Sequence, residues 1–179
     1  MIGPQLSQLP QLSQLKPCFF IFSPPIRNHP YFAAMIVLDF PEPYFKTRQE
    51  GGRPSIFDAI RQRWVTLTPE EWVRQNIIQW LLLRHGLPKA AISVEKEIKL
   101  GAMSKRFDLL IYDRNTKPWM MVECKADTVE LNEGALMQIL SYNLAMPVEY
   151  LMVTNGKQCH LAQINTKEPA WINNFPAYP

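Results

Sequence analysis

The chain has 179 residues, of which 47% are hydrophobic and 20% charged, and its formal net charge is +3. That length suits one α/β domain and leaves too little chain for two. The mild positive charge is compatible with a nucleic-acid partner without indicating one. Three scattered cysteines argue against a disulfide framework or a zinc site, and no apolar run reaches the roughly 18–20 residues of a membrane span. We therefore expect a protein of the reducing cytoplasm that does not enter a membrane.

Residues 1–34 differ from the rest of the chain. The segment 5–10 (QLSQLP) is nearly repeated by 11–16 (QLSQLK), and prolines recur as far as Pro30 without any helix or strand period. We expect this segment to be disordered and dispensable, with Met35 as a natural starting point. Residues 35–54 then form a lead-in to a domain at 55–166, and residues 167–179 are expected to be a loose tail.

A first helix is predicted to begin after Thr68. Thr68 is a good N-cap residue, Pro69 suits the first helical position, and Glu71 completes a capping box. Apolar residues follow at helical spacing until Gly86, which is a typical C-terminal stop. The sequence therefore predicts a helix that ends shortly before residue 86.

Five strands and a second helix are predicted farther along the chain. The dipeptide Asn155-Gly156 is a strong hairpin signal between the last two strands. The strands are predicted at residues 91–100, 106–112, 119–126, 150–154 and 157–164, and the second helix at 132–146. This order of a helix, a three-strand meander, a helix and two strands predicts an α/β fold with a mixed central sheet flanked by helices.

Two acids are predicted to face each other across the hairpin that turns at residues 113–118. The midpoint of this turn lies between Asn115 and Thr116, so an antiparallel register places Asp108 opposite Glu123. Lys125 lies two residues beyond Glu123 and therefore on the same face of its strand. The pattern predicts two carboxylates and a lysine side by side.

Two facing carboxylates repel each other unless a cation lies between them or one is protonated. Mg²⁺ prefers such oxygen ligands, and it lowers the pKa of bound water and offsets charge on a phosphate. The simpler alternative is a cross-strand charge pair between Asp108 and Lys125. The apolar composition of both strands favours a metal site, because burying an acid in such strands costs free energy unless the acid has a partner or binds a ligand.

These residues resemble the signature of PD-(D/E)XK nucleases, with Asp108 followed by Glu123-Cys124-Lys125. The segments 55–58 (SIFD), 67–75 (LTPEEWVRQ) and 150–156 (YLMVTNG) are similar to the N-terminal domain of type I restriction enzyme R subunits in a short stand-alone form. The resemblance covers about residues 55–164. It implies a restriction-endonuclease-like core, a Mg²⁺ or Mn²⁺ cofactor, and hydrolysis of phosphodiester bonds, expected in DNA.

The resemblance also implies roles for single residues. Asp108, Glu123 and Lys125 are the expected catalytic residues, and a metal would be held by Asp108, Glu123 and the backbone carbonyl of Cys124. The family's first helix usually adds a glutamate to the metal site, and Glu71 matches that position, although its role in the capping box is an equal alternative. Glu70 and Glu95 are weaker candidates.

Four residues are expected to contact DNA: Lys105, Arg106, Gln138 and Tyr142. Lys105 and Arg106 precede Asp108 on its strand, whereas Gln138 and Tyr142 fit the Q-x-x-x-Y pattern of some relatives and share one helix face. The alternative for that pair is an ordinary polar helix edge. Elsewhere, a loose cluster of arginines fits a solvated face as well as a phosphate track: Arg53, Arg61, Arg63, Arg74 and Arg84. Four tryptophans are interpreted as core residues rather than base-stacking ones: Trp64, Trp72, Trp80 and Trp119.

The sequence contains no G-x-x-x-x-G-K-[ST] loop, so ATP-driven translocation is not expected of this chain. A nuclease of this kind would therefore work alone or beside a separate motor or specificity protein. The alternative function is a catalytically silent nuclease-like module for DNA binding or assembly.

Overall fold

The computed structural model describes residues 36–42, 44–100, 103–131, 146–164 and 169–179, without the side chains of 98–100 and 103–105. The expected disordered segment and the predicted second helix therefore lie outside the described residues. In the described part, no helix is both long enough and apolar enough to cross a membrane.

A small antiparallel sheet opens the fold, and the sequence analysis did not predict it. Its strands are β1 (Thr47–Glu50), β2 (Arg53–Asp58) and β3 (Arg63–Thr66). Gly51 and Gly52 join β1 to β2 with φ values of 57° and 77°, as a tight two-residue hairpin turn requires. One face of β2 is buried through Ile56 and Asp58, which are both 0% exposed. This sheet is therefore packed mainly along that face, although Ser55 on the other face is also buried.

The first predicted helix is confirmed as α1 (Pro69–Leu83). The Thr68 hydroxyl accepts a hydrogen bond from the Glu71 amide at 3.0 Å, and Gly86 has the expected left-handed backbone, with φ of 64°. Burial of Ile77 and Leu81 fixes the apolar face of the helix. A 3₁₀ turn (Lys89–Ala91) then leads into the main sheet.

The main sheet has six strands in the order β4-β5-β6-β7-β8-β9, which confirms an α/β fold with a mixed sheet. β6 and β7 run parallel, whereas all the other neighbours are antiparallel. The strands are β4 (Ile92–Leu100), β5 (Met103–Tyr112), β6 (Pro118–Cys124), β7 (Tyr150–Thr154), β8 (Cys159–Gln163) and β9 (Ala170–Ile172). The predicted strands thus all form, within a few residues of their expected limits.

Both faces of this sheet are packed, which explains why its strands are apolar nearly throughout. Leu109 and Val122 point toward α1, whereas Leu110 and Met121 belong to the cluster on the opposite face. All four side chains are at most 1% exposed. Polar side chains in these strands are therefore exceptions that need a reason.

The end of the chain corrects the expectation of a loose tail after residue 166. β9 pairs with β8 at the edge of the sheet. Beyond it, Phe175 packs against Trp80 of α1, and the Tyr178 hydroxyl donates to the Tyr112 carbonyl at 3.2 Å. A three-residue strand leaves no local pattern to predict it from, because it depends on its neighbour for pairing.

Candidate active site

Three acids lie in a row across β4, β5 and β6. Leu109 pairs with Val94 on one side and Val122 on the other. One residue further along come Glu95, Asp108 and Glu123, beyond the last β5–β6 pair and at a point in β4 where Glu95 has a φ of 52°. The register predicted for β5 and β6 is the one observed, so Asp108 and Glu123 are neighbours as expected.

The Asp108 carboxylate is held at both oxygens. Its Oδ2 accepts a hydrogen bond from the Cys124 amide at 2.7 Å, and its Oδ1 accepts one from Arg74 Nη2 at 2.6 Å. The side chain is only 13% exposed. Asp108 therefore has a fixed orientation at the point where β5 and β6 separate.

Lys125 pairs with Glu123 rather than with Asp108. Lys125 Nζ donates to Glu123 Oε1 at 2.7 Å, and its backbone amide donates to the Thr154 carbonyl at 2.8 Å. Burial, followed by the nearby charge of Asp108, raises the pKa of Glu123 in spite of this lysine. Burial opposes the charge of Lys125, but its bond to Glu123 raises the pKa of the ammonium overall. Glu123 is therefore paired with Lys125 and at the same time lies close enough to Asp108 for the two carboxyl groups to repel each other.

Arg74 is the buried centre of the charge network, which corrects its interpretation as part of a solvated face or a phosphate track. Its guanidinium bonds Asp108, Glu71 and, at 3.1 Å, Glu70. Burial opposes its charge, but Asp108 and then Glu71 raise the pKa of Arg74 overall. The signal in the sequence was the spacing of Arg74 from Glu70 and Glu71, which places all three on one side of the helix.

Glu71 lies in this network with both carboxylate oxygens occupied. Arg61 and Gln75 each donate to Oε1 at 2.8 Å, and Arg74 donates to Oε2. The carboxylate contacts these donors, while the Glu71 backbone amide donates to the Thr68 hydroxyl that caps the helix. The expected metal role of Glu71 stays a prediction, and the contacts show that it braces two arginines.

Asp58 joins the small sheet to the same network. It accepts hydrogen bonds from Arg61 Nε at 2.6 Å and from Gln75 Nε2 at 2.9 Å. Burial would raise the pKa of Asp58, but hydrogen bonds from the Arg61 backbone and side chain lower it overall. Arg61 also reaches Glu95 at 2.6 Å. The end of β2 is thereby tied to α1 and β4.

We call these linked residues the acid cluster. Among the described residues it holds six carboxylates and four basic side chains, so two negative charges remain when all are ionised. Its members are Asp58, Glu70, Glu71, Glu95, Asp108 and Glu123, with Arg61, Arg63, Arg74 and Lys125. The excess equals the charge of one divalent cation.

The donor set fits Mg²⁺ rather than a metal that needs a cage of side chains. In the described parts of the chain, no group of three or more His, Cys, Asp or Glu side chains is arranged to hold a metal ion. Mg²⁺ does not need one, because it is commonly bound by one or two carboxylates, waters and substrate phosphate. Asp108 and Glu123 are carboxylates of this kind, and their role as ligands stays a prediction, as does that of the Cys124 carbonyl.

The predicted DNA contacts divide into two groups. Arg106 is exposed on β5, two residues before Asp108 and therefore on the same face of the strand, and Lys105 pairs in register with Ile98 of β4. Gln138 and Tyr142 lie outside the described residues. The role of all four in binding DNA stays a prediction.

Comparison with known proteins places the chain in a family. Residues 69–177, more than half of the chain, match the family described as type I restriction enzyme R protein N terminus (HSDR_N). The chain therefore belongs to this family, which supports a nuclease-like function in general terms. The match extends past residue 166, in agreement with the packed C-terminal segment, and begins after the small sheet.

Other comparisons add little. No curated protein matches the chain significantly. A crystal structure of a protein from Anabaena variabilis, described as a candidate nuclease of DUF820, is similar with a TM-score of 0.41 and 9% identity. The likeness covers 71% of this chain and 80% of that one. At these values it carries no argument about function.

Proposed function

We propose that this chain is a metal-dependent nuclease that hydrolyses phosphodiester bonds in DNA, with Mg²⁺ or Mn²⁺ as its cofactor. The observation that carries the proposal is the adjacent set of Asp108, Glu123 and Lys125 at the end of two apolar strands, inside a cluster with excess negative charge. Asp108, Glu123 and Lys125 are the proposed catalytic residues, and Asp108 and Glu123 the proposed ligands.

When bound, Mg²⁺ would activate a water molecule and offset the charge that develops on the scissile phosphate. The protein's own groups then have separate tasks. Arg74 and the Cys124 amide hold Asp108 in one orientation. Lys125 keeps its proton and can donate to a phosphate oxygen or to the attacking water, which is electrostatic stabilisation by a fixed group. Glu123 holds Lys125 in that position.

The absence of an ATP-binding loop in the sequence supports a further part of the proposal. We infer that the chain acts alone or beside a separate motor or specificity protein. The cysteines Cys124 and Cys159 are free and buried, which supports a reducing compartment such as the cytoplasm.

A cleavage assay on supercoiled, linear duplex and single-stranded DNA, with Mg²⁺, Mn²⁺ or EDTA, tests the proposal. We expect cleavage that requires a divalent ion and disappears in Asp108→Asn. The matched control is Asp127→Asn, which removes an exposed acid paired with Lys157 at 3.2 Å and should cleave like the parent. A parent chain that binds DNA but cleaves none of these substrates with either metal would establish the silent module instead.

A further inference from the structure

The exposed face of the small sheet combines basic and aromatic side chains. Lys46, Arg48, Arg53, Phe57 and Trp64 form it, and we call it the cationic face. Arg53 and Phe57 are four positions apart and therefore lie on the same face of β2. Phe57 pairs in register with Trp64. The opposite face is buried through Ile56 and Asp58. On this side Arg53 is exposed, Phe57 and Trp64 are half-buried, and Ser55, which lies between Arg53 and Phe57, is buried.

The aromatic rings of this face lie against each other and beneath cations. The Phe57 and Trp64 rings meet edge to face at 5.5 Å between centroids. Arg48 lies 4.3 Å above the Trp64 ring, and Lys46 lies 5.9 Å from the Phe57 ring. Fixed aromatic rings interleaved with basic side chains are the combination that binds single-stranded nucleic acid, by stacking on bases and neutralising phosphates.

The charges of this face are available to a ligand. Lys46 and Arg53 are exposed, and the pair of Arg48 with Glu50 at 2.6 Å is exposed at both ends, at 42% and 61%. Such a surface pair contributes little to stability, so a phosphate can take the place of Glu50. With Glu50 counted, the face keeps an excess of positive charge that complements a phosphate backbone.

A cavity continues the face toward α1. Its volume is about 330 Å³, and Lys46 and Phe57 belong to its lining, together with Tyr44 and Gln79. The Gln79 amide donates to the Tyr44 carbonyl at 3.1 Å, whereas its oxygen is buried with no hydrogen-bond partner in the described structure. A cavity of this size with an aromatic ring in its lining can take a nucleobase.

We propose that the cationic face is a docking surface for single-stranded DNA, with a base entering the adjoining cavity. The identity of the ligand rests on the proposed function. The surface itself lies before residue 69 and thus outside the residues that match the family. Asp58 lies on the opposite face of β2 and is bonded to Arg61 and Gln75, so the sheet that carries the surface is attached to the acid cluster through its other side.

Fluorescence anisotropy with the full chain in EDTA tests the proposal, because it measures binding while cleavage is blocked. The probes are labelled oligo(dT) of about 20 nucleotides, an abasic strand, a duplex and oligo(U) of the same length. We expect Arg48→Ala and Arg53→Ala each to weaken oligo(dT) binding several-fold and to reduce the salt dependence by about 0.7 in slope. Trp64→Ala should weaken it about tenfold, and Trp64→Phe should restore most of the loss.

The matched control is Arg114→Ala, which removes another arginine lying over an aromatic ring, at 5.6 Å from Tyr178 in a different part of the fold. It should bind like the parent. Thermal melting of each variant identifies any loss of folding, and the exposed Arg48 and Arg53 variants keep the test decisive if Trp64→Ala unfolds.

The abasic strand should bind at least tenfold more weakly than oligo(dT), because it cannot stack or enter the cavity. Equal binding of the abasic strand, tighter binding of the duplex or of oligo(U), or parent-like binding by the Arg48 and Arg53 variants would each overturn the proposal. A chain that binds as expected but never cleaves would overturn only the proposed function. A chain that cleaves while these variants bind normally would overturn only this inference.

Discussion

The acid cluster and the cationic face both concentrate charge, but they differ in how each charge is held. In the acid cluster, Arg74 and Glu71 are each only 6% exposed in their side chains and are bonded to several partners. On the cationic face, Arg48 is 42% exposed and has one weak carboxylate partner. Buried charges in fixed positions suit chemistry, whereas exposed ones suit a ligand that must arrive and leave. We therefore propose that the same residue types serve chemistry in one region and ligand binding in the other.

Removing Arg74 should give the largest loss of stability. Arg74→Ala leaves Asp108 and Glu71 without their shared cation in a buried position, so the free energy of unfolding should fall by about 3–5 kcal/mol. Urea denaturation measures this loss. The matched control is Arg84→Ala, whose partner Asp39 is 67% exposed, and its effect should stay within about 0.5 kcal/mol. Equal losses of unfolding free energy in the two variants would show that the buried arginine contributes no more to stability than the exposed one.

Lys125→Ala should reduce cleavage while leaving the fold intact. We expect a loss of about 10²–10³ in single-turnover rate, the usual effect of one preorganised electrostatic contact. Metal affinity should be nearly unchanged because Lys125 is not a ligand. Lys157→Ala is the control, since Lys157 also pairs with an acid but is exposed. If Lys125→Ala cleaves at the parent's rate, the lysine serves only as a charge pair with Glu123.

The register of the acids could be predicted from the sequence, but their partners could not. A tight turn and two apolar strands determine the pairing of β5 with β6, and the positions of Asp108 and Glu123 follow from it. The bond between Arg74 and Asp108 depends on how α1 packs against the sheet, which no local pattern reports. The same holds for Arg61, which the sequence analysis treated as part of a solvated face or a phosphate track.

The small sheet was missed for a different reason. Its first strand is exposed at every position, so it lacks the alternation by which a half-buried strand is recognised. The Gly51-Gly52 pair was the available signal, because two glycines between short strands are typical of a hairpin turn. A strand whose side chains face solvent or a ligand does not alternate between apolar and polar residues, so a hydrophobic pattern does not reveal it.

Glu71 and Glu70 offer a comparison within one turn of helix, with smaller expected effects. Both bond Arg74, but Glu71 is 6% exposed and Glu70 is 46% exposed. Glu71→Gln should destabilise the fold by about 1–3 kcal/mol, because buried donors lose a charged acceptor, whereas Glu70→Gln should cost less than about 1 kcal/mol. Chemical denaturation of both variants measures which of them loses more unfolding free energy. A larger loss for Glu70→Gln would contradict it.

The smallest expected effect concerns His85, a partly buried ionisable group packed between Trp80 and Phe175. Burial lowers the pKa of His85 below its usual value near 6.5, although Asp39 opposes the shift. The unfolded chain therefore binds the proton more readily, so the stabilising contribution is complete above about pH 6.5 and is lost as the pH falls toward the folded pKa. Melting temperatures of the parent and of His85→Phe, followed from pH 7.5 downward, should diverge in this window. Parallel curves would show that His85 does not contribute.

The most direct test of the central claim is a titration with Mn²⁺, followed by calorimetry, of the parent chain, Asp108→Asn, Glu123→Gln and the exposed control Glu42→Gln. If Asp108 and Glu123 hold one metal together, the parent and the control should bind one ion with the same affinity, and each of the two site variants should bind it at least about tenfold more weakly. Unchanged affinity in both site variants, or no binding to a folded parent chain in the presence of DNA, would contradict the account.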